Sequence, residues 1–284
     1  MQNEKKRVAG LSVFAAIFLT SFKFIIGILT GSLGLLSEAL HSGLDLVAAV
    51  ITFFSVSISD KPADKRHNWG HAKIENFSAF IETILLLITC IWIINEALHR
   101  LITGKTDIEV TTWSYIAVIT SIVVDFSRSS ALSRVAKKYN SQALEADALH
   151  FSTDIWSSAV VLLGLVCANF GFFFADSVAA LIVALIVLVV SYRLGKRSID
   201  VLLDSAPKST YDKIEGVLKN TREVIKYHDL RIRTAGADTF VTINIHVSPE
   251  LTNQQAHSIC DIIEYETHKI IDRCEIIVHV EPEI

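Results

Sequence analysis

Two polar segments of the same form interrupt otherwise apolar stretches of the chain. Residues 38–45 read EALHSGLD and residues 147–154 read DALHFSTD. In a helix, residues three, four and seven apart lie on one side, so each segment aligns an acid, an imidazole and a carboxylate. If the two helices face each other, two imidazoles and two carboxylates can close around one ion, as Zn²⁺ prefers. The predicted ligands are His41, Asp45, His150 and Asp154.

The location of these segments favours a role in transport. A charged side chain in the middle of a membrane costs about 2.5–3.5 kcal/mol on insertion scales, so matched pairs on two apolar helices indicate a function. Zn²⁺ is the preferred ion, whereas Cd²⁺, Co²⁺, Fe²⁺ and Mn²⁺ stay open because a nitrogen and oxygen site selects weakly among such ions. Glu38 and Asp147 are interpreted as caps, orienting groups or entry-path charges rather than as direct ligands.

Six apolar stretches are long enough to hold the two segments inside a bilayer. The mean hydropathy of +0.45 is high for a soluble protein, and a membrane helix needs about 20 mostly apolar residues. Lysines and arginines flank alternate ends of these stretches, which predicts that both termini are cytoplasmic. The predicted spans are about Val8–Leu29, Leu33–Ile58, Ile74–Leu98, Trp113–Leu132, Ala143–Phe170 and Phe173–Leu194.

The residues after about Pro207 follow a soluble pattern. An amphipathic helix, two strands around the turn 235–238, a second helix and a last strand predict a small αββαβ domain of the α+β class. The predicted domains are therefore residues 1–206, a six-helix membrane domain, and residues 207–284, a cytoplasmic domain for metal binding and dimerisation. Because so short a tail buries little core alone, we expect it to pair with a second copy.

Two further groups of residues have metal-binding chemistry. Asp64, His67 and His71 lie between the second and third spans with helical spacing, although Trp69 and Gly70 blur that pattern. The tail is rich in histidine, and His279 and Glu281 share one face of the last strand. We predict a loop site at the first group and a second site in the tail.

Other intramembrane charges are interpreted as structural. Asp125 and Arg128, three apart, are predicted to neutralise each other, and Lys23, Glu82 and Asp176 are assigned to lipid-interface, packing or dimer contacts. The four cysteines form no C-x-x-C pair and no disulfide framework. A net charge of −4 gives no case for binding nucleic acid.

The chain resembles the cation diffusion facilitator family over nearly its whole length. The resemblance rests on SEALHSGLD, PADKRHNWGHAKIE, EADALHFSTD, LLDSAP, YHDLRIRTAG and IIVHVEPE, in that order. It implies a homodimer of six-helix protomers in the inner cell membrane, each with a metallochaperone-like cytoplasmic domain. It also implies the transport and loop sites given above, a salt bridge between Lys73 and Asp204 that locks the dimer, and a binuclear tail site at His228, His246, His257, His279 and Glu281.

The histidine at the start of the first HxxxD pair resembles the zinc-preferring branch, and the short connection around residues 139–141 resembles prokaryotic members. Protons compete with metal for imidazole nitrogen, so we expect export of Zn²⁺ in exchange for H⁺. A membrane sensor that does not transport is the alternative. An intramembrane metallohydrolase is disfavoured because the chain has no HExxH and four protein ligands leave no open position for water.

Overall fold

The computed structural model describes residues 2–30, 33–103, 112–169 and 175–283 and divides into two compact units, Met1–Ser198 and Ile199–Ile284. Six long helices come first along the chain. They are α1 (Gln2–Thr30), α2 (Leu33–Ser59), α3 (Lys73–Thr103), α4 (Thr112–Tyr139), α5 (Gln142–Asn169) and α6 (Ala175–Leu202). The predicted boundary after residue 206 stays a prediction.

Four stretches within the described residues are long and apolar enough to cross a membrane: Asn3–Leu29, Ala39–Ser59, Lys73–Thr103 and Tyr115–Tyr139. Many of their large apolar side chains face outward, with Phe14 72% and Ile102 83% exposed, as expected for a surface in contact with lipid. The predicted fifth and sixth spans run into residues 170–174, outside the described part, so the count of six spans stays a prediction.

Small side chains let the helices approach closely around the two HxxxD pairs. Helix α1 packs on α2, α4 packs on α5, and both α2 and α3 contact α5. Alanines fill much of the core shared by α1, α2, α4 and α5, where Leu132, Leu144 and Phe151 are also fully buried. Membrane helices associate through this kind of close contact because apolar burial drives little association in lipid. The packing brings the middle of α2 against α5.

A buried ionic cluster ties the helix ends together. Lys5 Nζ lies 2.7 Å from Asp60 Oδ1 and 2.9 Å from Glu75 Oε1. The hydroxyls of Ser59 and Ser141 donate to the two oxygens of Glu75. Helix α1 extends to Gln2, beyond the predicted membrane span that starts near Val8, and Lys5 in this extension is only 3% exposed.

The second unit is the predicted αββαβ domain. Its elements are α7 (Lys208–Asn220), β1 (Lys226–Ala235), β2 (Asp238–Val247), α8 (Asn253–Ile270) and β3 (Cys274–Pro282). The sheet order is β1-β2-β3, with β1 antiparallel and β3 parallel to β2. Alternate residues of β2, including Ile243 and Ile245, are buried against α7 and α8, and a capping box of Thr252 and Gln255 starts α8.

Candidate metal centres

The two HxxxD pairs meet in the core between α2 and α5. Nε2 of His150 lies 2.9 Å from Asp45 Oδ1 and 3.8 Å from Asp154 Oδ2. Nε2 of His41 lies 3.8 Å from Asp154 Oδ1 and 4.0 Å from Asp45 Oδ1. Each carboxylate therefore lies between the two imidazoles. The four side chains predicted from their spacing converge on a space that one small cation can occupy.

The four side chains are not equivalent. Suitable ligand atoms of Asp45, His150 and Asp154 all lie within 4.8 Å of one another, whereas His41 stands at the edge of this group. The His41 side chain is 27% exposed and that of His150 only 4%. His41 also packs beside the Trp92 ring, at 6.2 Å between centroids. His41 is the accessible side of the site and His150 the buried side.

A series of hydrogen-bonded polar side chains from α4, α1 and α5 lies next to the site. Arg128 forms an ion pair of 3.1 Å with Asp125, which confirms the predicted neutralisation. The same guanidinium donates to Ser12 Oγ, and Ser12 Oγ donates to Asp147 Oδ2 at 3.3 Å. Asp147 is fully buried and lies inside α5, which begins at Gln142, so the cap interpretation is wrong for it. The side chain of Glu38 lies outside the described part.

Lys23 and Glu82 are buried rather than facing lipid, so the lipid-interface alternative is wrong for both. Lys23 is 6% exposed and donates to Ser42 Oγ at 3.0 Å, next to the first HxxxD pair. Glu82 is completely buried. A single charged residue in an apolar helix has the same sequence pattern on either face, so the sequence could not place Lys23 and Glu82. Asp176 lies outside the described side chains.

The loop residues Asp64, His67 and His71 form a compact group of possible ligands. The stretch is a turn rather than the helix considered in the sequence analysis. Asp64 Oδ1 accepts the backbone N–H groups of His67 at 2.7 Å and Arg66 at 2.8 Å, and Gly70 adopts a φ of +76°. These backbone hydrogen bonds, first from His67 and then from Arg66, lower the pKa of Asp64 to about 2.

The turn brings both imidazoles to the Asp64 carboxylate. His67 Nδ1 lies 3.2 Å from Oδ1, and His71 Nε2 lies 3.5 Å from Oδ2. The two imidazole rings are 4.4 Å apart between centroids. Glycine suits residue 70 because a side chain is strained at positive φ. Gly70, one of the two residues that blurred the helical pattern, thus permits the turn that holds the cluster.

The tail cluster is built across the sheet. His246 on β2 is paired in register with Glu281 on β3, and Glu281 Oε2 lies 3.6 Å from His246 Nε2 and 3.5 Å from His228 Nε2. A bulge after His228, where Asp229 has a φ of +52°, turns β1 at this point. His279 Nε2 lies 3.6 Å from Glu281 Oε1. One carboxylate thus contacts three imidazoles.

The protomer does not bring His257 into this group of described ligands. His257 lies on α8, 78% exposed, with Nε2 at 3.8 Å from Asp261 Oδ1. The two residues of the predicted salt bridge fall in different compact units, with Lys73 at the start of α3 and Asp204 just after α6. Both the place of His257 in the tail site and the Lys73–Asp204 pair stay predictions.

Apolar helices with buried side chains that could bind metal define an integral membrane protein with a candidate cation site in its interior. The sequence model of the cation efflux transmembrane domain matches residues 10–203, and that of the cation efflux protein cytoplasmic domain matches residues 206–283. The chain belongs to the cation efflux family, whose members are the cation diffusion facilitators. It is a divalent metal cation transporter, and its second unit matches the model of the family's cytoplasmic domain, which is of the dimerising type.

Two relatives of the chain are named as a transporter and as a cation-efflux pump. An uncharacterized transporter of Methanocaldococcus jannaschii is 34% identical over 88% of each chain. The cation-efflux pump FieF of Shewanella oneidensis is 28% identical over 98% of this chain and 94% of its own. Among solved structures, the metal-bound C-terminal domain of the CzcD transporter from Thermotoga maritima is 33% identical, covering 26% of this chain and 88% of its own, with a TM-score of 0.26.

Proposed function

We propose that the protein exports Zn²⁺ from the cytoplasm across the inner cell membrane in exchange for H⁺. The observation that carries the proposal is the convergence of His41, Asp45, His150 and Asp154 between α2 and α5. Two imidazoles and two carboxylates match the tetrahedral preference of Zn²⁺. Cd²⁺, Fe²⁺, Co²⁺ and Mn²⁺ are the alternative substrates, because the same donors accept them.

The same side chains can exchange the zinc ion for protons. An imidazole binds metal only without its proton, so zinc and protons compete for His41 and His150. At cytosolic pH the inward-facing site loses protons and captures zinc. When the site opens to a more acidic side, protons displace the ion, and the protonated carrier returns. Two buried carboxylates keep the site attractive to a cation in either direction, so the proton gradient sets the direction of net flux.

The loop and tail clusters act as regulatory zinc sites in a homodimer with both termini in the cytoplasm. Support comes from their donor sets: a carboxylate between two imidazoles in the loop, and one carboxylate among three imidazoles in the tail. Zinc bound at either cluster would favour one arrangement of the protein over another and so tune transport by population shift. The exposed His257 is available to complete the tail site in the dimer.

Purified protein in liposomes, with an internal zinc dye and an imposed pH gradient, tests the proposal. Wild type should move zinc at a rate that follows the gradient, and Asp45→Ala and His150→Ala should not move it. Glu145→Gln is the matched control, since Glu145 is an exposed α5 carboxylate paired with Arg197. Unchanged flux in both site variants would reject the site, and zinc binding without flux in wild type would favour a sensor.

A further inference from the structure

Glu283, just after β3, lies beside a histidine of the tail cluster. Its Oε2 is 2.9 Å from Nδ1 of His246. The backbone fixes this position, because the N–H of Glu283 donates to the carbonyl oxygen of Val247 at 2.9 Å and so continues the pairing of β3 with β2. Residues two apart on a strand face the same side. Glu281 and Glu283 therefore reach the His246 ring from the same face of the sheet.

The two ring nitrogens of His246 have different carboxylate neighbours. Nε2 lies 3.6 Å from Oε2 of Glu281, the carboxylate that the cluster shares, whereas Nδ1 faces Glu283. The His246 side chain is the most buried of the three histidines in the cluster. Its Nδ1 atom is buried, and the approach of Glu283 does not yet have the angle of a hydrogen bond. Because the Glu283 carboxylate reaches the surface, a small turn of its side chain can align the two atoms.

His228 has the same arrangement on the other side of the cluster. Its Nε2 lies 3.5 Å from Oε2 of Glu281, and its Nδ1 lies 3.3 Å from Oδ2 of Asp229. Asp229 belongs to the bulge of β1, where its φ is +52°. Two histidines on different strands thus each direct Nε2 to the shared carboxylate and Nδ1 to an outer one. The repetition indicates an arrangement of the cluster rather than a chance surface pair.

An outer carboxylate of this kind selects one tautomer of the imidazole. A neutral imidazole carries one proton, and only the nitrogen without it can bind metal. A carboxylate beside Nδ1 favours the proton on that atom, which leaves the lone pair of Nε2 for the cation and makes this nitrogen more basic. Removing such a partner typically weakens metal binding by about 10–100-fold.

We propose that Glu283 is a positioning residue of the tail metal site. It holds His246 in the tautomer whose Nε2 binds the cation, and it does not bind the cation itself. The inference rests on the proposed zinc site in the tail and adds a residue to which the sequence motif assigned no role. The ligands face the cation on one side, and Glu283 acts from the opposite side of the imidazole ring.

Metal titrations of the full-length protein in detergent test the assignment, in a background of Asp45→Ala and Asp64→Ala that leaves the tail cluster intact. We expect Glu283→Ala to weaken zinc binding by about tenfold or more, measured by dye competition. Glu283→Gln should fall between the background protein and Glu283→Ala, because its amide oxygen can still accept the Nδ1–H. The visible absorption bands of bound Co²⁺ should keep their positions in both variants, since the ligands are unchanged.

Glu275→Ala is the matched control, because it removes an exposed carboxylate of the same strand. It should keep the zinc affinity of the background protein, and without metal it should unfold at the same temperature as Glu283→Ala. Unchanged affinity in Glu283→Ala, or equal losses in Glu283→Ala and Glu283→Gln, overturns the assignment. Shifted Co²⁺ bands overturn it as well, since they make Glu283 a ligand. If the background protein binds no zinc, the tail site itself fails; if it binds zinc, these results reject Glu283 alone.

Discussion

Nε2 of His150 lies 2.9 Å from Oδ1 of Asp45, although 105 residues separate them in the chain. The contact joins the two HxxxD pairs at their most buried point, and Asp154 is one helical turn beyond His150 on the same helix. His41 stays 3.8 Å or more from both carboxylates. Three of the proposed ligands thus lie close together, and the fourth, His41, is the more exposed of the two histidines.

This difference predicts unequal losses when the two histidines are removed. His150→Ala deletes a ligand from the gathered group, leaving two buried carboxylates facing each other. We expect zinc affinity at this site to fall by about 100-fold or more for His150→Ala and by about tenfold for His41→Ala, a difference of about 1.4 kcal/mol. Competition with a zinc dye measures both, in a background of Asp64→Ala and Glu281→Ala that removes a carboxylate from each of the other two clusters. Equal losses would contradict the division into a gathered group and an edge ligand.

The loop cluster predicts a pH dependence without a contribution from its acid. The pKa of Asp64 is lowered to about 2 because two backbone N–H groups favour the charged carboxylate. The Asp64 carboxylate therefore stabilises the turn fully at any pH above 3.8, the ordinary pKa of an aspartate. This stabilisation is lost only as the pH falls toward about 2. Near neutral pH the charge of Asp64 is therefore constant, and changes in zinc affinity at the loop should not come from this carboxylate.

The variant Asp64→Asn separates these effects. An asparagine side-chain oxygen can still accept the N–H groups of His67 and Arg66, so the turn should persist without its charge. We expect weaker zinc binding at every pH with an unchanged slope against pH, measured by dye competition in a background of Asp45→Ala and Glu281→Ala. A slope that flattens would assign the pH dependence to Asp64.

The tail cluster predicts that the length of the acidic side chain matters. The two oxygens of Glu281 approach His228, His246 and His279 at 3.5–3.6 Å. Glu281→Asp shortens the side chain by one methylene and withdraws both oxygens, so we expect zinc content between that of wild type and of Glu281→Ala. Metal analysis of the protein after equilibrium dialysis, with the loop and transport sites removed, measures it. Zinc content in Glu281→Asp equal to or above wild type would contradict the proposed role of glutamate.

The sequence predicts most strongly what depends on local spacing. The i, i+4 relation of His150 and Asp154, the shared strand face of His279 and Glu281 and the Asp125–Arg128 pair all follow from one helix or strand. The contact between α2 and α5 could be predicted only by assuming that the two helices face each other. Features that depend on tertiary structure could not be predicted. The loop cluster depends on a turn that needs Gly70 at positive φ. The burial of Glu82 depends on which face of α3 meets α2 and α5.

The contact of Gly195 on α6 with Thr83 on α3 gives a test of the helix packing itself. A Cβ at residue 195 would lie 2.8 Å from Thr83 Cγ2, closer than side chains tolerate. Thr83 cannot turn away without loss, since its hydroxyl donates to the Ala79 carbonyl oxygen at 2.8 Å. We therefore expect Gly195→Ala to destabilise the membrane domain by about 1–3 kcal/mol through overpacking, measured by thermal unfolding in detergent.

Two variants make this prediction specific. Gly10→Ala is the matched control, because a Cβ there meets the nearest atom, Phe53 Cε2, at 3.5 Å, an ordinary contact, and alanine favours the helix by about 1 kcal/mol. Thr83→Ser removes the clashing methyl group and keeps the hydroxyl, so the double variant Gly195→Ala with Thr83→Ser should regain most of the lost stability through coupling between neighbours. If Gly195→Ala unfolds at the same temperature as Gly10→Ala, α6 does not pack against Thr83 in this way.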